Sequence, residues 1–167
     1  MPYSNKTYIA FDADNDIRYY RLMQAWKQSD NHSFNFYDAH DLNNLMKSSS
    51  EETIKLRLRE RLNNTKVFVL LVGEQTRYLY QFVRWEIEQA IKLNHPIICV
   101  NLNGRRSKDP DRCPPILRSE LALHISFNTK ILEKALTDWE HLHYENKRQG
   151  KTSDFSYNES IYKSLGL

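Results

Sequence analysis

Two short runs, Lys66–Val72 (KVFVLLV) and Pro96–Leu102 (PIICVNL), contain almost nothing polar. A strand wet on one face alternates apolar and polar side chains. An uninterrupted apolar strand therefore has both faces covered, as in a parallel sheet flanked by helices. Three shorter runs have the same character: Thr7–Phe11 (TYIAF), Phe34–Tyr37 (FNFY) and Ala122–Phe127 (ALHISF). Between them lie stretches with helical spacing. These are Ile17 to Ser29, Ser50 to about Leu62, Thr76 to Asn94, and Thr129 to Tyr144. Asn15 or Asp16 suits the N-cap of the first, and Ser50 with Thr53, or Ser49 with Glu52, suits the second. Asn103–Glu120, rich in Pro, Arg and Asp, reads as a long loop rather than a lid.

Five strands alternating with four helices predict an α/β domain in three layers. At 167 residues the expected arrangement is flavodoxin-like, a five-stranded parallel sheet in the order 2-1-3-4-5. One domain is expected over 1–167, with a core at about 7–144 and a polar C-terminal tail at 145–167. A hydrophobic share of 40% and a charged share of 27% are those of an ordinary globular chain. The net charge of +3 is dispersed and gives no argument for a nucleic-acid partner. No run approaches the roughly 20 apolar residues that span a bilayer, and the N-terminus lacks a signal-peptide pattern. Cys99 and Cys113 form no disulfide framework and no metal spacing. The expectation is a cytoplasmic protein with no metal, no membrane and no nucleic acid among its partners.

The stretch TRYLYQFVRWEIEQAIKLN, Thr76 to Asn94, carries the feature that bears on function. A helix turns about 100° per residue, so Glu88 falls on the polar side with Gln81, Arg84 and Lys92. Glu86 falls about 20° from both Leu79 and Leu93, within the arc of Val83, Ile87 and Ala90. A carboxylate on a buried face is rare unless paired or functional. The bland alternative is a snorkelling glutamate paired with Arg84 or another arginine. In an open parallel sheet, ligands bind beyond the carboxyl ends of the strands. That rim gathers Phe11, Asp12 and Asp14 after the first strand, Asp38 and Asp41 after the second, and Gly73, Glu74 and Gln75 after the third. Capping and turn formation explain the aspartates as well as ligand contact does.

The segments LNNTKVFVLLVGEQT and FVRWEIEQAIKLNHPIICVNLNG, and more loosely Tyr8 to Asn103, resemble the TIR-like domain of Thoeris anti-phage defence proteins. The resemblance implies an enzyme that cleaves NAD+ and makes an ADP-ribose-derived signal for a separate effector. Trp85-Glu86 matches the family's aromatic-glutamate pair, which assigns Glu86 as catalytic. The strand-end rim, read with this chemistry, offers substrate contacts from Phe11, Asp12, Asp14, Asp38, Gly73 and Gln75, with Arg18 to offset the acids. Trp85 is a further candidate, although about 100° from Glu86 on the wheel it packs more readily than it stacks on substrate. NAD+ would be consumed as substrate, with no cofactor. A phage-derived trigger and a homo-oligomer belong to the same expectation.

The chain departs from the family in FDADNDIRYY, where Asp12, Asp14 and Asp16 follow the first strand. These acids repel a diphosphate unless Arg18, Arg77 or Arg84 offsets them. The four glycines are scattered, so no Gly-rich phosphate loop holds a resident dinucleotide. Three other functions stay open. The first is a nucleoside deoxyribosyltransferase-like enzyme. The second is a non-catalytic TIR interaction module. The third is a phosphoryl-receiver domain, disfavoured because the third strand lacks a terminal aspartate and the fifth lacks a lysine.

Overall fold

A computed structural model of the chain describes residues 6–29 and 49–167. In chain order the strands are β1 Thr7–Ala10, β2 Val67–Val72, β3 Ile97–Asn101, β4 Leu123–Ser126 and β5 Phe155–Ser156. The helices are α1 Ile17–Gln28, α2 Glu51–Asn63, α3 Val83–Lys92, α4 Thr129–Arg148 and α5 Glu159–Ser164. All strand pairings among the described residues are parallel.

The apolar runs do what their composition requires. Every residue of β2 is buried, and its side chains alternate between two cores. Val67, Val69 and Leu71 join one, with Tyr20 and Met23 of α1 and Ile131, Leu132, Ala135 and Trp139 of α4. Phe68, Leu70 and Val72 join the other, with Ile54, Leu58 and Leu62 of α2 and Val83, Ile87 and Ala90 of α3. The result is three layers, with α1 and α4 on one face and α2 and α3 on the other.

The sheet order corrects one expectation. The described sheet runs β1-β2-β3-β4-β5, not 2-1-3-4-5. Its fifth described strand is Phe155–Ser156, paired with Leu123 and His124; the sequence pattern predicts a strand at Phe34–Tyr37. The latter segment lies outside the described residues, as do Asp38 and Asp41. Residues 145–167, expected as a polar tail, supply this edge strand and α5, whose Tyr162 is fully buried in the first core. Two residues, only one of them apolar, are too few to read as a strand from sequence.

A second difference concerns the helix bearing Glu86. Thr76–Tyr78 forms one turn of 3-10 helix, and α3 starts only at Val83. Thr76 anchors this turn to the end of β2: its Oγ1 accepts from the Gly73 amide at 2.9 Å and donates to the Leu71 carbonyl at 3.3 Å. The other end of α3 closes at Asn94, which takes a left-handed φ of 54° while the His95 amide reaches back to the Ala90 carbonyl. Leu93 is accordingly 40% exposed. The loop 103–120 is pinned from inside. Asp109 Oδ1 accepts from the amides of Asp111 and Arg112 at 2.9 and 3.0 Å, and Asn103 Nδ2 donates to Asp109 Oδ2 at 2.8 Å.

Candidate active site

Glu86 is buried, although it stands in the first turn of α3. Helix geometry puts it beside Val83, Ile87 and Ala90, the stripe that packs on the α2-α3 core. Across the gap, Tyr8 of β1 points into the same layer because it is in register with Phe68 of β2. The two rings stack at 5.6 Å with planes 12° apart. The Tyr8 hydroxyl donates a hydrogen bond to Glu86 Oε2. A buried tyrosine needs a partner for its hydroxyl, and a buried carboxylate needs a donor. Each supplies the other.

Burial governs the electrostatics. It pushes the Glu86 carboxyl up from 4.5 to about 7, with the Tyr8 hydrogen bond acting in the opposite direction. Burial likewise raises the Tyr8 phenol well above its ordinary value, reinforced by the Glu86 charge. The phenol therefore remains a donor, and the carboxyl titrates near neutrality.

Above the pair lies a cavity of about 420 Å³, within the range of small-molecule sites. Its lining includes Tyr8 and Glu86, the β1 rim from Ala10 to Asp14, Ile54 and Leu58 of α2, and the break from Tyr78 to Phe82. Ala10, the last residue of β1, is small enough to leave space at the strand end. Tyr78 and Tyr80 stand at the mouth, 53% and 65% exposed.

The residues expected at the site divide into two groups. Glu86, Phe11, Asp12 and Asp14 line the cavity. Phe11 is also stacked on Tyr20 at 4.5 Å. Asp12 is buried, and its carboxylate accepts from the Asp14 amide at 3.1 Å, the Asn15 amide at 3.3 Å and Asn15 Nδ2 at 2.7 Å. It holds the rim loop in shape. Arg18, Gly73, Gln75 and Trp85 are not in the lining. Arg18 Nη2 donates to the Tyr19 hydroxyl at 3.2 Å. Trp85 packs against the α2-α3 core, with Lys55 Nζ and Arg59 Cζ each 5.6 Å from its ring centroid. Gly73 is a close-approach position: a Cβ there would stand 2.1 Å from Asp16 Oδ2. That oxygen is buried without a hydrogen-bond partner among the described residues, and burial, then the Asp12 charge, raises the Asp16 carboxyl. Asp38 lies outside the described residues.

Tyr8 is the residue that sequence reasoning missed. The signal was present: a tyrosine within an apolar strand carries a hydroxyl that needs a buried acceptor. Which acceptor it meets depends on register and helix packing. No cluster suited to a metal ion occurs among the described residues, and none of their helices is long and apolar enough to cross a membrane.

A buried carboxyl titrating near neutrality, set by a phenol at the floor of an open cavity, can face a developing positive charge with little water to screen it. One family model matches this chain over residues 8–107, that of the TIR-like domain of the Thoeris protein ThsB. The match covers β1, α1, α2, β2, α3 and β3, and with them both Tyr8 and Glu86. With more than half of its length matched, the chain belongs to the family of Thoeris ThsB TIR-like domains.

Proposed function

We propose that this domain cleaves NAD+ at the bond between nicotinamide and ribose, with Glu86 as the catalytic residue. Membership of the Thoeris family suggests a role in anti-phage defence. In that setting the ADP-ribosyl fragment becomes a cyclic or conjugated nucleotide that activates a separate effector. A phage-derived trigger and self-association are part of the same reading. The observation that carries the proposal is the buried Glu86 carboxyl, hydrogen-bonded by Tyr8 and facing a cavity.

The chemistry follows from charge. As the C–N bond breaks, its electron pair moves to the ring nitrogen, and nicotinamide leaves as a neutral molecule. The sugar carbon left behind is oxocarbenium-like, as in glycoside cleavage. A carboxylate within reach stabilises that centre or bonds to it until an acceptor arrives. Leaving-group protonation is not required, so one acid residue suffices. The cationic nicotinamide ring favours the ionised form of Glu86 when substrate binds. Tyr8 keeps one carboxylate oxygen oriented. Phe11, with Tyr78 and Tyr80 at the mouth, offers flat apolar surface for the ring.

The test is nicotinamide release by the purified protein, followed by chromatography in the presence of lysate from phage-infected cells. Release is expected to fall about 100-fold or more in Glu86→Gln. Cleavage that survives this substitution rejects the assignment. A defence phenotype that persists in Glu86→Gln cells favours a non-catalytic interaction module instead.

A further inference from the structure

A second cavity of about 300 Å³ lies against the first. The two share Leu79, Tyr80 and Val83, so the break before α3 is the wall between them. Their charges are opposite. Among the described residues, the Glu86 cavity is lined by Asp12, Asp14 and Glu86 and by no Lys or Arg. The second cavity is lined by Arg77 and Arg84 and by no Asp or Glu. Its floor is apolar, built from Ile87, Pro114, Pro115 and Ile116.

We propose that this second cavity is the anion subsite of the enzyme, taking the diphosphate of a dinucleotide whose ribosyl carbon lies at Glu86. The proposal rests on the NAD-cleaving reading of the first cavity. An anionic diphosphate beside Asp12, Asp14 and the partly ionised Glu86, with no cation, is repelled. The same group across the Leu79-Tyr80 wall meets two guanidiniums, which bind phosphate through paired N–H donors. Arg77 Nη1 donates to the Asp111 carbonyl, which anchors it to the pinned loop. Arg84 pairs with Glu88 at 3.2 Å, with the two side chains 52% and 38% exposed. Such a surface pair is weak, and phosphate displaces it readily. The apolar floor and Tyr80 then suit the adenine. Arg18, which lines neither cavity, has no part in this subsite.

The experiment is calorimetric titration of ADP, a nucleoside diphosphate without the nicotinamide ribose. Wild type and Glu86→Gln are expected to bind it equally. Arg84→Gln should weaken binding severalfold, and Arg77→Gln with Arg84→Gln at least tenfold, with thermal unfolding confirming that each variant is folded. If removing Arg77 unfolds the loop, the Arg84→Gln titration decides alone. ADP should also displace NAD+ from Glu86→Gln, where NAD+ binding is read without turnover. Equal ADP affinity in wild type and Arg84→Gln overturns the proposal, as does no ADP binding by wild type. Arginine-dependent ADP binding that leaves bound NAD+ in place also overturns it, because it marks a separate regulatory site. Arginine-dependent binding with NAD+ displacement, but without nicotinamide release, keeps the subsite and rejects the catalytic reading.

Discussion

Tyr8 and Glu86 are coupled through one hydrogen bond, and its removal has a calculable direction. Tyr8→Phe takes away the donor that holds the Glu86 carboxyl down, so its titration moves above about 7. Hydrogen bonds to a charged group contribute about 1.5–3 kcal/mol, or roughly 10- to 100-fold. Nicotinamide release at pH 7 should fall by that factor, and the rising limb of kcat/KM against pH should shift upward. A pH profile that does not move disproves the coupling. Stability carries the opposite sign. The folded carboxyl titrates at about 7 against an ordinary 4.5, so the native state keeps a proton that the unfolded chain has released. The protein therefore loses up to about 3 kcal/mol as pH rises from about 4.5 to about 7. Glu86→Gln lacks this loss. Denaturant unfolding should show the variant gaining on wild type between pH 5 and pH 8, the pattern of a site whose function costs stability.

At the scale of elements, the interrupted segment 76–82 is what gives the site its shape. A continuous helix from Thr76 would set Leu79 on the face of Glu86, about 20° from it, and Tyr80 about 120° from it. The 3-10 turn and the break instead leave them on the wall between two cavities. Thr76→Val removes the two hydrogen bonds that hold the turn and leaves the Gly73 amide and the Leu71 carbonyl without that partner. A cost of about 1–3 kcal/mol is expected in equilibrium unfolding. KM for NAD+ should rise more than kcat falls, because the wall moves while Glu86 stays on α3. The helical period correctly placed Glu86 among Val83, Ile87 and Ala90, yet that placement used Leu79 and Leu93 as well. Leu79 packs on that core only partly buried and from outside the helix, and Leu93 is 40% exposed. The reason is local: the chain makes a 3-10 turn at Thr76–Tyr78 and starts α3 only at Val83, and Asn94 ends the helix at the other side.

Across the whole molecule, the C-terminal segment adds the fifth strand of the described sheet. Tyr162 is fully buried, its hydroxyl accepts from the Ser126 amide at 3.4 Å, and Arg106 Cζ lies 4.3 Å from its ring centroid. Arg106 also pairs with Glu159 at 2.6 Å, and Lys108 with Asp154 at 3.2 Å, so the loop after β3 and the last two elements are tied together. Tyr162→Ala should cost about 3–5 kcal/mol in unfolding, as for other buried aromatics. The Glu86 cavity lies at the β1 side of the described sheet, with β5 at its other side. In the folded fraction, the titration of Glu86 should therefore be unchanged, which a pH series on that variant checks.

The parallel sheet, its four long-read strands and the buried glutamate were legible in residue order, because periodicity and apolar runs are local and report which faces are covered. The partner of that glutamate was not, since Tyr8 and Glu86 are 78 positions apart and meet only through strand register and the packing of α3 on β1. The edge strand was hidden for a related reason: Phe155 and Ser156 are held by the waiting edge of β4 rather than by any pattern of their own. The division of charge between two adjoining cavities was equally out of reach. Side chains such as Arg77 and Asp12 acquire a common site, or opposite sides of a wall, only when the backbone has turned between them.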